Sequence, residues 1–306
     1  MNPGRRPRIL VAGGCNVDTL AHLDSSAIPA TSNPGRIGRS PGGVARNVAA
    51  NLALLGDEVS LVGVVGADES GDFLLDSIAA VETGRVRRAE RTGSYLAVID
   101  DRGDLVIGVA DMAATEAIED IGPVQGFDWL VLDGNLLPDP VTRALQDAER
   151  AGVPVLLDPV GVAKAIRLRA AARLPVHTFT PNRDELLAFA GVDDVDEAIG
   201  AAHARGVEWL WLRQGAAGSR LHGADGTDAR IAAIPGPVVD ATGAGDAMLA
   251  GYLHALAHGA EPVAAAEYGA ATATLTIGSS QTVRPDLDDA LVRRTIAAHG
   301  GAREEV

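Results

Sequence analysis

Apolar positions along the chain keep two alternating rhythms. Short unbroken runs at Arg8 to Ala12, Val59 to Val65, Trp129 to Leu132, Val153 to Leu157, His177 to Thr180 and Trp209 to Arg213 predict buried strands. Between them, apolar residues recur at helical spacing over Gly43 to Leu55, Ser70 to Val81, Pro140 to Ala151, near Ala163 to Leu168 and over Asp184 to Ala190. The same spacing runs from Asp246 through Ala257, and two more helices follow. Strands and helices in turn predict an α/β fold, a doubly wound, mostly parallel sheet flanked by helices. Two stretches break the rhythm. Asn16 to Ser40 carries turn residues throughout and no helical period, which predicts an excursion of short strands. Ser94 to Ile99 and Leu105 to Val109 read as a hairpin around Asp100-Asp101-Arg102-Gly103, and a smaller one is expected near Arg220 to Ile231. With no composition shift and no internal repeat, residues 1–306 read as a single domain.

In open parallel sheets, ligands sit beyond the carboxyl ends of the strands. Polar residues fall there repeatedly: Asn16 and Asp18, Asp133 and Asn135, Asp158, Asn182 and Glu185, Arg213 and Gln214, then Asp240 onward. Any one pair reads equally well as a solvated loop end; it is their convergence that points to a site. The most informative stretch is Asp240-Ala241-Thr242-Gly243-Ala244-Gly245-Asp246, where a proline-broken segment becomes a helix. A helix N-terminus presents unpaired N–H groups and partial positive charge, and Gly243 and Gly245 let that backbone approach an anion closely. Asp246 would repel a phosphate, so its presence suits a group that takes a proton from an attacking hydroxyl. The bland alternative is a tight turn with a capping aspartate. The spacing is not that of a P-loop, and Gly13-Gly14-Cys15-Asn16-Val17-Asp18 lacks the dinucleotide fingerprint.

Charge narrows the partners. A formal net charge of −15 argues against a nucleic-acid or anionic-membrane surface, while a small anion remains within reach of a helix end. No apolar run approaches spanning length, and the basic Met1 to Arg8 is not a signal peptide. The single cysteine, Cys15, excludes an intrachain disulfide and predicts a reducing, cytoplasmic setting. Lys164 is the only lysine in a chain that otherwise uses arginine.

Asp240 to Asp246 resembles the C-terminal signature of the ribokinase-like (PfkB) family of sugar and nucleoside kinases, and Gly42-Gly43-Val44-Ala45-Arg46-Asn47 resembles its N-terminal one. The resemblance runs over nearly the whole chain. More narrowly, Ser32-Asn33-Pro34-Gly35 together with Gly42 to Asn47 is similar to the pseudouridine kinases of that family. The resemblance implies ATP- and Mg2+-dependent phosphorylation of an alcohol, in the narrower case the 5′-hydroxyl of pseudouridine. Another sugar or nucleoside (ribose, adenosine, uridine) and a non-catalytic nucleoside-binding regulator stay open as alternatives. It also implies a small β lid from segments near 16–40 and 92–112, and a homodimer through that lid.

Carried over by position, Asp246 is the base, and the N–H groups around Gly243, Ala244 and Gly245 hold the migrating phosphoryl group. Asn16, Asp18, Gly42, Gly43 and Asn47 grip the sugar, with Asp133 on the same side. For Asp18 the alternative is a turn residue, and for Asn47 a helix cap. Ser32, Asn33, Thr92, Tyr95, Asp111 and Met112 are expected around the base. Asn182 and Glu185 match an Asn-x-x-Glu element that holds magnesium-bound phosphates through water, the alternative being an ordinary acidic helix start. Arg213, Gln214, Gly215 and Gly218 line the nucleotide side, although relatives often carry Thr-x-Gly or Ser-x-Gly where Arg213 and Gln214 stand. Lys164 neutralises ATP phosphates or is a surface lysine. The helix at Tyr268 to Thr274 and the loop Gly278 to Val283 close over adenine. Asp240 and Thr242 resemble a potassium site, with Ala241 where many relatives have threonine.

Overall fold

The computed structural model describes residues 5–171 and 173–300. Strands β1 (Arg8–Ala12), β2 (Asn16–Leu23) and β3 (Gly35–Gly42) precede helix α1 (Val44–Leu55). Then come β4 (Glu58–Gly66), α2 (Glu69–Asp76), β5 (Glu82–Ala89), the hairpin β6 (Gly93–Ile99) and β7 (Leu105–Asp111), and a short α3 (Ala113–Glu116). A regular run follows: β8 (Trp129–Asp133), α4 (Pro138–Ala151), β9 (Val155–Asp158), α5 (Val162–Leu168), β10 (Val176–Phe179), α6 (Arg183–Ala190), α7 (Val195–Ala204) and β11 (Val207–Arg213). The chain ends with the hairpin β12 (Ser219–Gly223) and β13 (Asp228–Ile231), then α8 (Ala244–Ala257), α9 (Pro262–Ile277) and α10 (Asp289–Ala298).

Nine strands form one sheet in the order β13-β12-β11-β10-β9-β8-β1-β4-β5. It is parallel from β11 to β5 and antiparallel only through β12 and β13. Alternation along β1 shows why both faces are covered. Ile9 and Val11 enter a core shared with α1, α8 and α9, while Leu10 and Ala12 enter a second core against α4 to α7.

Three departures from the sequence expectation have local causes. The helix predicted from Ser70 to Val81 stops at Asp76, and residues 77–81 are a turn. Strand β5 escapes the apolar pattern because its arginine-rich sequence lies on the sheet edge, where its side chains are half exposed. Helix α7 presents small residues, with Ala198, Ile199 and Ala202 buried, so its stripe is faint.

The second sheet, in the order β3-β2-β6-β7, is built from the two segments expected to form a lid. Strand β2 leaves β1 through Gly13-Gly14-Cys15, so the lid rises from the carboxyl end of the large sheet. Cross-strand register pairs Asp18 with Ser40 and Tyr95, placing all three on one face. The opposite face carries the exposed Ile37, Leu96, Ile107 and Val109.

Candidate active site

Helix α8 starts at a glycine for two steric reasons. Gly243 has φ 78°, and a Cβ there would lie 2.2 Å from the Thr282 carbonyl oxygen. The loop at 282 can therefore press directly against the helix tip. The Ala244 N–H donates to the Ala241 carbonyl at 3.2 Å, so it is spent inside the turn and does not join the anion-binding set expected from the sequence. Among the described residues, the N–H groups at this tip left without a partner are those of Gly245 and Asp246.

Asp246 is not a cap, because Gly243 holds that position and no side chain bonds the helix end. Its Oδ2 instead accepts from Asn47 Nδ2 at 2.6 Å, across 199 residues of sequence. Asn47 is likewise no cap: Gly43, at φ 93°, occupies that place in α1. The two glycine-rich signatures thus meet at one carboxylate–amide contact. Burial pushes the Asp246 carboxyl up to about 7, reinforced by the Asp158 charge and opposed by the Asn47 hydrogen bond, Arg213 and Arg46.

Arg46 lies inside the Gly42 to Asn47 signature but outside the set of site residues expected from the sequence. It is buried, and its guanidinium donates to the carbonyls of Pro41 and Gly42 and to Asn47 Oδ1. It therefore orients the amide that orients Asp246. Burial pulls its pKa down to about 10, against the nearby Asp246 and Asp18 charges.

At the start of β2, Asp18 Oδ1 accepts from Asn16 Nδ2 at 2.6 Å, and its carboxylate lies over Gly42, where a Cβ would sit 2.2 Å from Oδ2. Burial raises the Asp18 pKa. Beside them, a cavity of about 770 Å³ opens under the lid, walled by Leu20, His22 and Ser40 on one side and Arg46, Thr242 and Thr282 on another. Asp240 also faces this cavity, and its Oδ1 accepts from the Thr242 N–H at 2.8 Å.

Several expected contacts are engaged elsewhere. Asp133 is buried and accepts from the backbone of Gly14 (2.8 Å), Ala45 (3.0 Å) and Asn135 (2.8 Å), so it ties the loops beneath the site together instead of facing a substrate. Asn33 closes its own loop through Ile28 N–H (2.8 Å) and the Ile28 and Thr31 carbonyls, with Ser32 exposed beside it. The Thr92 hydroxyl is held between Asp68 and the Gly66 N–H. Asp111 pairs with Ser94, which places it on the lid face away from Asp18, near Arg91. Tyr95 does share the Asp18 face, packed over Gly108, and Met112 is the residue before α3.

At the carboxyl end of β11, Arg213 carries the arrangement. Its Nη1 lies 3.1 Å from Asp158 Oδ2 and its Nη2 lies 3.3 Å from Glu185 Oε2, both carboxylates being buried. Its Nη1 also borders the helix tip, since a Cβ on Gly245 would meet it at 2.9 Å. The buried Arg213 Nε has no hydrogen-bond partner among the described residues. Glu185 and Asn182 form a capping box (2.8 and 2.9 Å), the ordinary helix start, yet Glu185 also receives Arg213. Burial raises the Glu185 pKa. Gln214 and Gly215 are exposed in a short turn ended by Gly218 at φ 88°. Lys164 donates to Asn135 Oδ1 and stands among Asp133, Asp158, Glu116 and Arg167. Cys15 is buried and its thiol is pushed up to about 12, so it is no nucleophile.

Residues 6–289 match the pattern of the pfkB family carbohydrate kinases. The chain belongs to that family. As a pfkB kinase it is a phosphotransferase with an alcohol acceptor of the sugar or nucleoside class. It is 32% identical over 299 residues to the pseudouridine kinase of Escherichia coli K12, covering 93% of this chain and 95% of that protein. It is also 30% identical to a fructokinase of Klebsiella pneumoniae, over 83% of this chain and 92% of that one. Arabidopsis thaliana ribokinase, solved with ribose and ATP, superposes with a TM-score of 0.82 over 95% of this chain and 99% of that one at 21% identity, which establishes the shared fold. Among the described residues no helix is long and apolar enough to cross a membrane.

Proposed function

We propose that this pfkB kinase transfers the γ-phosphoryl group of ATP to the 5′-hydroxyl of pseudouridine, giving pseudouridine 5′-phosphate, ADP and a proton. The observation that carries the reading is the Asn47–Asp246 contact at the tip of α8. It sets a carboxylate beside two unspent helix N–H groups, which is what in-line transfer from a phosphate to an alcohol requires. Asp246 takes the hydroxyl proton as the phosphoryl group leaves ADP. The N–H groups of Gly245 and Asp246, together with Arg213, stabilise its equatorial oxygens. The unpartnered Arg213 Nε fits that role, being a buried donor that a phosphate oxygen satisfies.

Asp18, steadied by Asn16, binds the ribose hydroxyls, and Gly42 and Gly43 keep the backbone close beneath the ring. The donor set suits magnesium: Glu185 and Asp158 are buried carboxylates converging on one guanidinium, so their charge is only partly matched. Glu185 and Asp158 would hold the ion through water, and the ion neutralises phosphate charge when bound. We assign the apolar outer lid face, with Ile37, Leu96, Ile107 and Val109, to a second copy of the chain.

Pseudouridine is favoured by the identity to its E. coli kinase over nearly the full length of both chains. Its N1–H is a donor that uridine lacks; Ser40 and His22 line the cavity from the lid and offer acceptors, with Tyr95 beside Asp18 on the same face. A fructokinase of similar identity supports a second reading, a free sugar as acceptor. ADP release across pseudouridine, uridine, ribose, adenosine and fructose decides between them. The highest kcat/KM is expected for pseudouridine. Equal values for uridine and pseudouridine would overturn the base assignment, and no ADP with any acceptor would restore a non-catalytic binding protein.

A further inference from the structure

The end of α8 opposite Asp246 carries a cluster that phosphoryl transfer does not use. Asp57, in the short link between α1 and β4, has a fully buried side chain, and each carboxylate oxygen faces one imidazole. His254 Nδ1 lies 2.9 Å from Oδ2, and His258 Nε2 lies 2.9 Å from Oδ1. The histidines stand four residues apart on α8 and its C-cap, with ring centroids 4.3 Å apart. One ligand atom from each of the three residues falls within 4.8 Å of the other two.

We propose that Asp57, His254 and His258 bind a divalent ion of the zinc class. Two imidazole nitrogens and a carboxylate oxygen are the donors such ions select. Edges of a tetrahedral zinc site span about 3.3 Å for bonds near 2.0 Å; the two 2.9 Å contacts use different oxygens of Asp57, so an ion would widen each of them and take one or both oxygens of that carboxylate. The surroundings of His254 supply an independent reason. If Nδ1 ligates the ion, the ring proton must sit on Nε2, and Nε2 lies 3.6 Å from Asp289 Oδ1. A carboxylate behind a ligating histidine is the usual support of a zinc site, and this one must close by about half an ångström to accept that proton. Asp289 is itself fixed by the Tyr268 hydroxyl at 2.8 Å and by Arg293. The half-exposed His258 gives the ion its entry and leaves the fourth position to water.

The site is structural. It lies about 15 Å along α8 from Asp246 and would clamp the catalytic helix to the α1–β4 link.

The test uses the untagged, chelator-stripped full chain titrated with ZnCl2 by calorimetry and followed by melting. Co2+ serves as the spectroscopic probe. One equivalent of Zn2+ is expected to bind, and at a hundredfold excess over Kd the melting temperature should rise by about 4 °C. A tetrahedral d–d absorption band should accompany Co2+. His258→Gln, at the exposed edge where folding is not at risk, should abolish stoichiometric binding, and Asp289→Asn should weaken it about 10- to 100-fold. Absence of stoichiometric binding by the unaltered chain, or binding unchanged by His258→Gln, would overturn the proposal.

Discussion

Replacing Asp246 by asparagine removes a charge while keeping the shape that meets Asn47, so it separates the cost of that carboxylate from its use. The folded carboxyl titrates near 7 because burial disfavours its charge, against about 4 in the unfolded chain. A proton is thus held more tightly by the folded state. The wild-type protein loses stability as pH rises from about 4 through about 7, and the loss is complete above that. That difference corresponds to about 4 kcal/mol, an upper figure because the side chain is only partly buried and water screens part of the charge. We expect Asp246→Asn to be more stable than wild type by about 2–4 kcal/mol at pH 8, or about 3–6 °C in melting temperature. The gap should narrow steadily toward pH 5. Turnover should fall by about 10²–10⁴, the usual worth of a general base, and wild-type kcat/KM should decline as pH drops through about 7. Melting scans of the ligand-free protein at several pH values, with steady-state ADP release, supply all three quantities. Near-wild-type turnover in the variant, or a melting gap that does not widen with pH, would refute the reasoning.

Gly243→Ala should strain a left-handed residue at a cost of about 1–3 kcal/mol and push the Thr282 loop from the helix tip, seen as a raised KM for ATP. Arg213→Gln leaves Asp158 and Glu185 buried without their cation; urea unfolding should show a loss of about 3–5 kcal/mol, with lower kcat where the fold survives. Asp18→Ala should raise the KM for a riboside about 10- to 100-fold with little change in melting, the worth of hydrogen bonds to a charged group.

The parallel sheet was legible because its strands are apolar on both faces and their ends are punctuated by glycine and polar residues, as at Ala12-Gly13 and Asp133-Gly134. The edge strand β5 was not, since an edge needs no apolar run. At the site, residue type and position point to the α8 tip and to Asp18, and the fold sets Asn47 against Asp246 and Asp18 over Gly42. Type and position did not suffice where hydrogen bonds are satisfied internally. Asp133 and Thr92 look like ligands in one dimension, and only the fold shows backbone N–H groups already occupying them. Asp111 shows the role of parity: Tyr95 shares the lid face of Asp18, and cross-strand register puts Asp111 on the opposite face. Arg46 was hidden by the opposite habit, since a buried arginine with no facing carboxylate in bonding range has no sequence mark beyond its signature.

The central claim is that transfer takes place at the tip of α8, between its N–H groups and Asp246. A crystal structure with pseudouridine and a non-hydrolysable ATP analogue tests it directly. The terminal phosphate is predicted within hydrogen-bond distance of the Gly245 and Asp246 N–H groups, with the acceptor hydroxyl against the Asp246 carboxylate. A terminal phosphate bound away from that tip, or an acceptor hydroxyl facing a different side chain, would contradict the account.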